Sequence, residues 1–68
     1  MIINLAVADD HTMLREGMVN LLKSTENLQI IGEASTVQDT KRMLDAHSEI
    51  EILLCDINFP DGDGFEIL

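Results

Sequence analysis

The chain contains no tryptophan and no tyrosine, and Phe59 and Phe65 are its only apolar aromatic residues. A core of stacked rings is excluded. The apolar mass, 46% of the residues, is Ile, Leu, Val, Met and Ala, a set suited to helices packed on a sheet. Cysteine occurs once, at Cys55, so no intrachain disulfide can form, and a reducing, cytoplasmic setting is the expectation. Bases number 4 against 13 acids, a formal net charge of −9. Phosphate contacts need clustered Lys and Arg, and Lys23, Lys41 and Arg42 form no stripe, so this segment is not expected to bind nucleic acid. No apolar run approaches the ~20 residues of a membrane helix. The start, MIINLAVADD, lacks the basic n-region of a signal peptide. No membrane contact is expected.

What is present is an alternation of two periodicities. Residues 2–8 (IINLAVA) form a nearly continuous apolar run, the mark of a strand buried on both faces, and stop at Asp9-Asp10. From Thr12 to Ser24 the period becomes helical, with Leu14, Met18, Leu21 and Leu22 on one face. Residues 28–32 (LQIIG), running on towards Ala34, read as a second strand. Ser35 and Thr36 then stand at capping-box spacing from Gln38 and Asp39. Val37, Thr40, Met43 and Leu44 supply the apolar face of a second helix ending near His47 or Ser48. Residues 50–55 (IEILLC) form the third strand, which ends at Asp56 as the first ended at Asp9. Pro60, Gly62 and Gly64 mark a loop, followed by what reads as the first turn of a third helix. The order β-α-β-α-β-(α) predicts an open α/β fold with a parallel sheet and right-handed crossovers.

In such sheets, sites form outside the carboxyl ends of the strands. If the first and third strands are neighbours, ~4.8 Å apart, then Asp9, Asp10 and Asp56 converge. Two unit charges ~4 Å apart repel by about 4 kcal/mol at an effective dielectric of 20. A protonated carboxyl or a bound cation would relieve this. All-oxygen ligands with open positions favour Mg²⁺ or Mn²⁺. A carboxylate beside such an ion can attack phosphorus to give an acyl phosphate. The spacing does not say which aspartate is the nucleophile, and an Asp pair after a strand also serves as a helix N-cap.

Residues 8–17 (ADDHTMLREG), 31–36 (IGEAST) and 53–68 (LLCDINFPDGDGFEIL) resemble, in register, the receiver domains of LuxR-type response regulators of two-component systems. The resemblance implies the N-terminal half of a flavodoxin-like (CheY-like) doubly wound parallel sheet. It implies that Asp56 is the phospho-acceptor, with a sensor histidine kinase as donor. It implies a Mg²⁺ site formed by Asp9, Asp10 and Asp56, with Asp10 the more direct ligand and Asn58 contributing its backbone carbonyl. Pro60 and Gly64 match loop residues that shape the turn into the third helix. In the family, full-length members use the receiver to control a DNA-binding domain and hence transcription.

The family's receiver has about five strands and five helices, near the ~100–150-residue mode for domains. Residues 1–68 match only its first half, and a truncated or partly covered gene product is the expectation. The switch Ser or Thr, the Lys that contacts the phosphoryl group and the helix-turn-helix output domain have no counterpart in these residues. The isolated segment is expected to be a phosphotransfer acceptor rather than an enzyme. Alternatively it is a non-signalling fragment that self-associates through its exposed sheet edge. A fainter likeness is to phosphatases of the haloacid-dehalogenase type. There Asn58 stands where a general-acid Asp belongs, and the nucleophile follows the first strand rather than the third.

Other residues read structurally. His11 could be a metal ligand or a phosphohistidine but is taken as a residue of the first loop, and Cys55 is taken as a small buried apolar residue rather than a redox group. DGDG at 61–64 fails the calcium-loop spacing. Counted from Asp56, Pro60 falls where a ligand is required and Asp61 where a glycine is required. Asp63 reads as a helix cap.

Overall fold

The computed structural model describes residues 1–67. In chain order the elements are β1 (Ile3–Ala8), α1 (Thr12–Lys23), β2 (Leu28–Ala34), α2 (Val37–Ala46), β3 (Ile52–Cys55), β4 (Asn58–Phe59) and β5 (Gly62–Asp63), then a 3₁₀ turn over Gly64–Ile67. The first three strands form a parallel sheet in the order β2-β1-β3. The central strand is the one with the continuous apolar run. Leu5, Ala6, Val7 and Ala8 are all buried, as a strand covered on both faces requires.

From β1 the chain crosses to one side to make β2, then back past β1 to make β3. Right-handed crossovers in opposite directions place α1 and α2 on opposite faces of the sheet. The α2 face holds the core: Ala6, Ala8, Ala34, Val37, Met43 and Phe59, with Ile50, Leu53 and Ile67 packed against it. The β1–β2 register shifts between Leu5 and Ala6, so that Ala6 lies opposite Gly32. A Cβ at Gly32 would stand 2.5 Å from Met43 Sδ. The missing side chain is what lets α2 close onto β2.

Two expectations are corrected. Of the α1 face read as Leu14, Met18, Leu21 and Leu22, Met18 and Leu22 are half-buried, but Leu14 and Leu21 are not. Leu14 and Leu21 are 56% and 70% exposed, whereas Val19 is buried. The helix lies over β2 and β1, so the stripe Arg15, Val19 and Leu22 meets the sheet. Leu14 and Leu21 are left on its outer flank. Cys55 is exposed, on β3, which is an outer strand among the described residues. The helical turn expected after the Pro60–Gly64 loop is present as the 3₁₀ turn over Gly64–Ile67. An antiparallel two-strand pairing joins Asn58 to Asp63 and Phe59 to Gly62, and the 3₁₀ turn follows. The hairpin buries Phe59 in the α2-side core. No helix among the described residues is long and apolar enough to cross a membrane.

Candidate functional site

The β1–β3 register sets Ala8 opposite Cys55, so the residues that follow, Asp9 and Asp56, leave the sheet side by side. The backbone secures both. Asp9 N–H donates to Ala34 O at 3.0 Å, and Asp56 N–H donates to Ala8 O at 2.9 Å. Asp9, Asp10, His11 and Asp56 each offer one ligand atom, and these atoms lie within 4.8 Å of one another. The three aspartates singled out from the sequence are thus brought together.

Asp9 is buried, and its Oδ1 accepts the His11 backbone N–H at 2.9 Å and lies 3.0 Å from His11 Nδ1. Its carbonyl accepts Arg15 Nη1–H at 2.7 Å, which ties the loop to α1. Burial pushes the Asp9 carboxyl up. The His11 backbone and ring hydrogen bonds, with the charges of His11 and Arg15, outweigh it and hold the carboxyl below its ordinary value. Asp10 is half-buried. Its Oδ1 lies 3.0 Å from His11 Nδ1 yet has no hydrogen-bond partner among the described residues. Asp56 Oδ1 accepts the Ile57 N–H at 2.7 Å, and Oδ2 faces the pair, 3.6 Å from His11 Nδ1.

His11 lies in the first loop, as read from the sequence, at the N-cap of α1. Its side chain is 66% exposed, yet Nδ1 stands among all three carboxylates. The Asp9 hydrogen bond and the Asp10 charge raise its pKa, burial opposes the rise, and the Asp9 and Asp56 charges add to it. Its position directly after the acidic pair was the available signal.

The loop after Asp56 is held from two directions. Gly64 N–H donates to Ile57 O at 2.8 Å. A Cβ on Gly64 would run into the Asp56 carbonyl and stand 2.9 Å from Ile57 Cα. Asp63 Oδ1 accepts the Phe65 N–H at 2.9 Å, so it does cap the turn that follows it. Asn58 lies on β4, two residues beyond Asp56. Cys55 Sγ donates to the Asp56 carbonyl at 3.1 Å, and burial, then the Asp56 and Asp9 charges, push its thiol pKa up, away from reactivity.

The chain matches the family described as the response regulator receiver domain over residues 5–68. It is 33% identical over 61 residues to the DNA-binding transcriptional activator DevR/DosR of Mycobacterium tuberculosis, covering 90% of this chain and 28% of that protein. It is 32% identical over 66 residues to the transcriptional regulatory protein UhpA of Escherichia coli, covering 97% of this chain and 33% of that protein. Among solved structures, the signal receiver domain of the putative response regulator NarL from M. tuberculosis superposes with a TM-score of 0.89 at 29% identity, over 97% of this chain and 52% of that one. A LuxR-family two-component response regulator from Aurantimonas gives 0.90 at 22% identity, over 98% and 47%. The chain therefore spans about a third of the curated relatives and about half of the solved chains. From that match across nearly its whole length, the chain belongs to the response regulator receiver domain family.

Proposed function

We propose that residues 1–68 are the first part of the receiver of a two-component response regulator, and that Asp56 accepts a phosphoryl group from a sensor histidine kinase. The observation that carries this reading is the convergence of the Asp9, Asp10 and Asp56 carboxylates at the ends of two adjacent parallel strands.

The donor set fits a hard divalent cation. The carboxylates repel one another, and Asp10 Oδ1 is a solvent-buried acceptor atom without a hydrogen-bond partner. Side-chain oxygens of Asp9, Asp10 and Asp56 and the backbone carbonyl of Asn58 are the groups that would hold Mg²⁺. When bound, Mg²⁺ neutralises charge on the phosphoryl group and keeps it in line with the acceptor.

The Ile57 N–H occupies Asp56 Oδ1, so Oδ2 is the nucleophilic oxygen. Oδ2 forms a bond to phosphorus as the donor's phosphorus–nitrogen bond breaks. The departing imidazole nitrogen keeps the electron pair and takes a proton from water. The product is an acyl phosphate on Asp56. In this reading the chain is an acceptor, not an enzyme with a separate substrate. Its charge of −9 leaves DNA contact, and hence control of transcription, to an output domain outside these residues.

One observation favours a second reading. Ile52 and Leu54 on the outer strand β3 are 42% and 38% exposed, which supports self-association through that edge.

Hydroxylamine converts an acyl phosphate into a hydroxamate, which peptide mass spectrometry locates. After treatment with Mg²⁺ and a small phosphodonor, the hydroxamate is expected on Asp56. A modification on Asp9 or Asp10 instead would overturn the assignment.

A further inference from the structure

Beyond Asp56 the chain turns into the hairpin of β4 and β5, two residues a side, with Pro60 and Asp61 at its tip. So short a pairing does not hold its own shape, and what it touches decides where it sits. Three contacts hold it. At the base, Gly64 N–H donates to Ile57 O at 2.8 Å. In the middle, Phe59 is buried in the α2-side core. At the tip, the Asp61 carboxylate spans the first two residues of α2. Its Oδ1 accepts Val37 N–H at 2.8 Å, and its Oδ2 accepts Gln38 N–H at 3.0 Å. Those N–H groups have no carbonyl within the helix to reach, and the positive end of the helix favours a carboxylate there. Both oxygens are engaged, so the contact fixes orientation as well as distance. Between base and tip lie Ile57, whose N–H holds Asp56 Oδ1, and Asn58 on β4.

We infer that Asp61 is a positioning residue of the phospho-acceptor site: by clasping the start of α2 it sets where the Asn58 carbonyl stands relative to Asp9, Asp10 and Asp56. The inference rests on reading those groups as a Mg²⁺ and phosphoryl site. The three aspartates leave the ends of β1 and β3 and are placed by the sheet. The Asn58 carbonyl is placed by the hairpin alone. Loss of the clasp frees the tip while Gly64 and Phe59 still hold the rest, so that carbonyl is the ligand that moves. A cation site loses affinity when a supporting contact goes, even with every ligand in the chain.

The test compares the parent chain with Asp61→Ala, Asp61→Asn and Val19→Ala. Val19 is buried under α1, on the sheet face opposite α2, so its truncation lowers stability without touching the hairpin. Three quantities are read on chains shown by circular dichroism to be folded. They are Mg²⁺ affinity by calorimetric titration without a phosphodonor, labelling by acetyl phosphate across a range of Mg²⁺, and amide exchange at Val37 and Gln38 by NMR. Asp61→Ala is expected to weaken Mg²⁺ by about tenfold and to raise the Mg²⁺ that half-saturates labelling by the same factor. Labelling at saturating Mg²⁺ should stay within about twofold of the parent, and both amides should exchange faster. Asp61→Asn keeps a carbonyl acceptor and is expected to recover most of the affinity. Val19→Ala is expected to bind Mg²⁺ as the parent does. If Asp61→Ala also binds as the parent does, or if Val19→Ala weakens Mg²⁺ equally, the clasp serves stability alone. The inference then falls while the site reading stands. If Asp61→Asn is no better than Asp61→Ala, the hydrogen bonds to α2 are not the link, and the inference falls again. If the folded parent binds no Mg²⁺ and takes no label, the site reading is overturned and the inference with it.

Discussion

The carboxylate of Asp61 accepts the backbone N–H of Val37 at 2.8 Å, and that of Gln38 at 3.0 Å, across more than twenty residues of sequence. Val37 and Gln38 open α2, whose next free donor, Asp39 N–H, is taken by Thr36 Oγ1 at 3.0 Å. Two side chains from different loops thus satisfy three of the orphan N–H groups of one helix. The loop that follows the acceptor aspartate is thereby anchored to α2. Asp61→Ala should lower the melting temperature by on the order of 5 °C, and Asp61→Asn by less, because Asn also caps well. Thermal melts by circular dichroism read this. Equal melting of all three chains would show that the contact contributes nothing.

Stability should fall at both ends of the pH scale in the presence of a chelator. The Val37 and Gln38 N–H groups hold Asp61 below its ordinary value, and Asp9 is also depressed. Carboxylates of that kind contribute stability that is present above the ordinary carboxyl range, about pH 4, and lost as pH falls through their depressed values. His11 acts in the opposite sense. Its raised pKa gives stability that is full below the ordinary histidine value of 6.5 and is lost as pH rises through the raised value. His11→Ala should flatten the upper limb of a melting-temperature profile and leave the acid limb in place.

Gly32→Ala places a methyl 2.5 Å from Sδ of the buried Met43 side chain. Overpacking of this kind costs about 1–3 kcal/mol. Urea unfolding should show that loss. Combined with Met43→Ala, the two losses should sum to more than the double variant's, because the second change removes the clash.

Gly64→Ala meets backbone rather than a yielding side chain, at the Asp56 carbonyl and Ile57 Cα. It should displace the acceptor loop and slow labelling by a phosphodonor by about tenfold or more, since small misplacements at a reacting centre cost of that order. The circular dichroism of the β2-β1-β3 sheet should change little. Labelling at the parent rate would contradict the placement.

Much of this arrangement was legible in residue order. The unbroken run before Asp9 marked a strand buried on both faces, and the shorter run before Asp56 marked another. That the two are neighbours was left open by residue order, and their parallel pairing is what makes the carboxylates meet. What was not legible depended on where elements lie against each other. The buried stripe of α1 passes through Val19 rather than Leu14 because the helix sits over β2, a position its own periodicity does not encode. Asp61 reads as one more turn residue until the fold brings it to α2. His11 reads as loop until its ring position is known. The hairpin at Asn58–Asp63 goes with the burial of Phe59, a tertiary contact that residue order does not show.

The central claim is that Asp56 accepts a phosphoryl group, and intact mass spectrometry tests it most directly. The folded chain is incubated with Mg²⁺ and acetyl phosphate, beside Asp56→Asn. The account predicts the mass increase of one phosphoryl group in the parent chain and none in the variant. An increase that persists in Asp56→Asn, or its absence from a parent chain shown by circular dichroism to be folded, would contradict it.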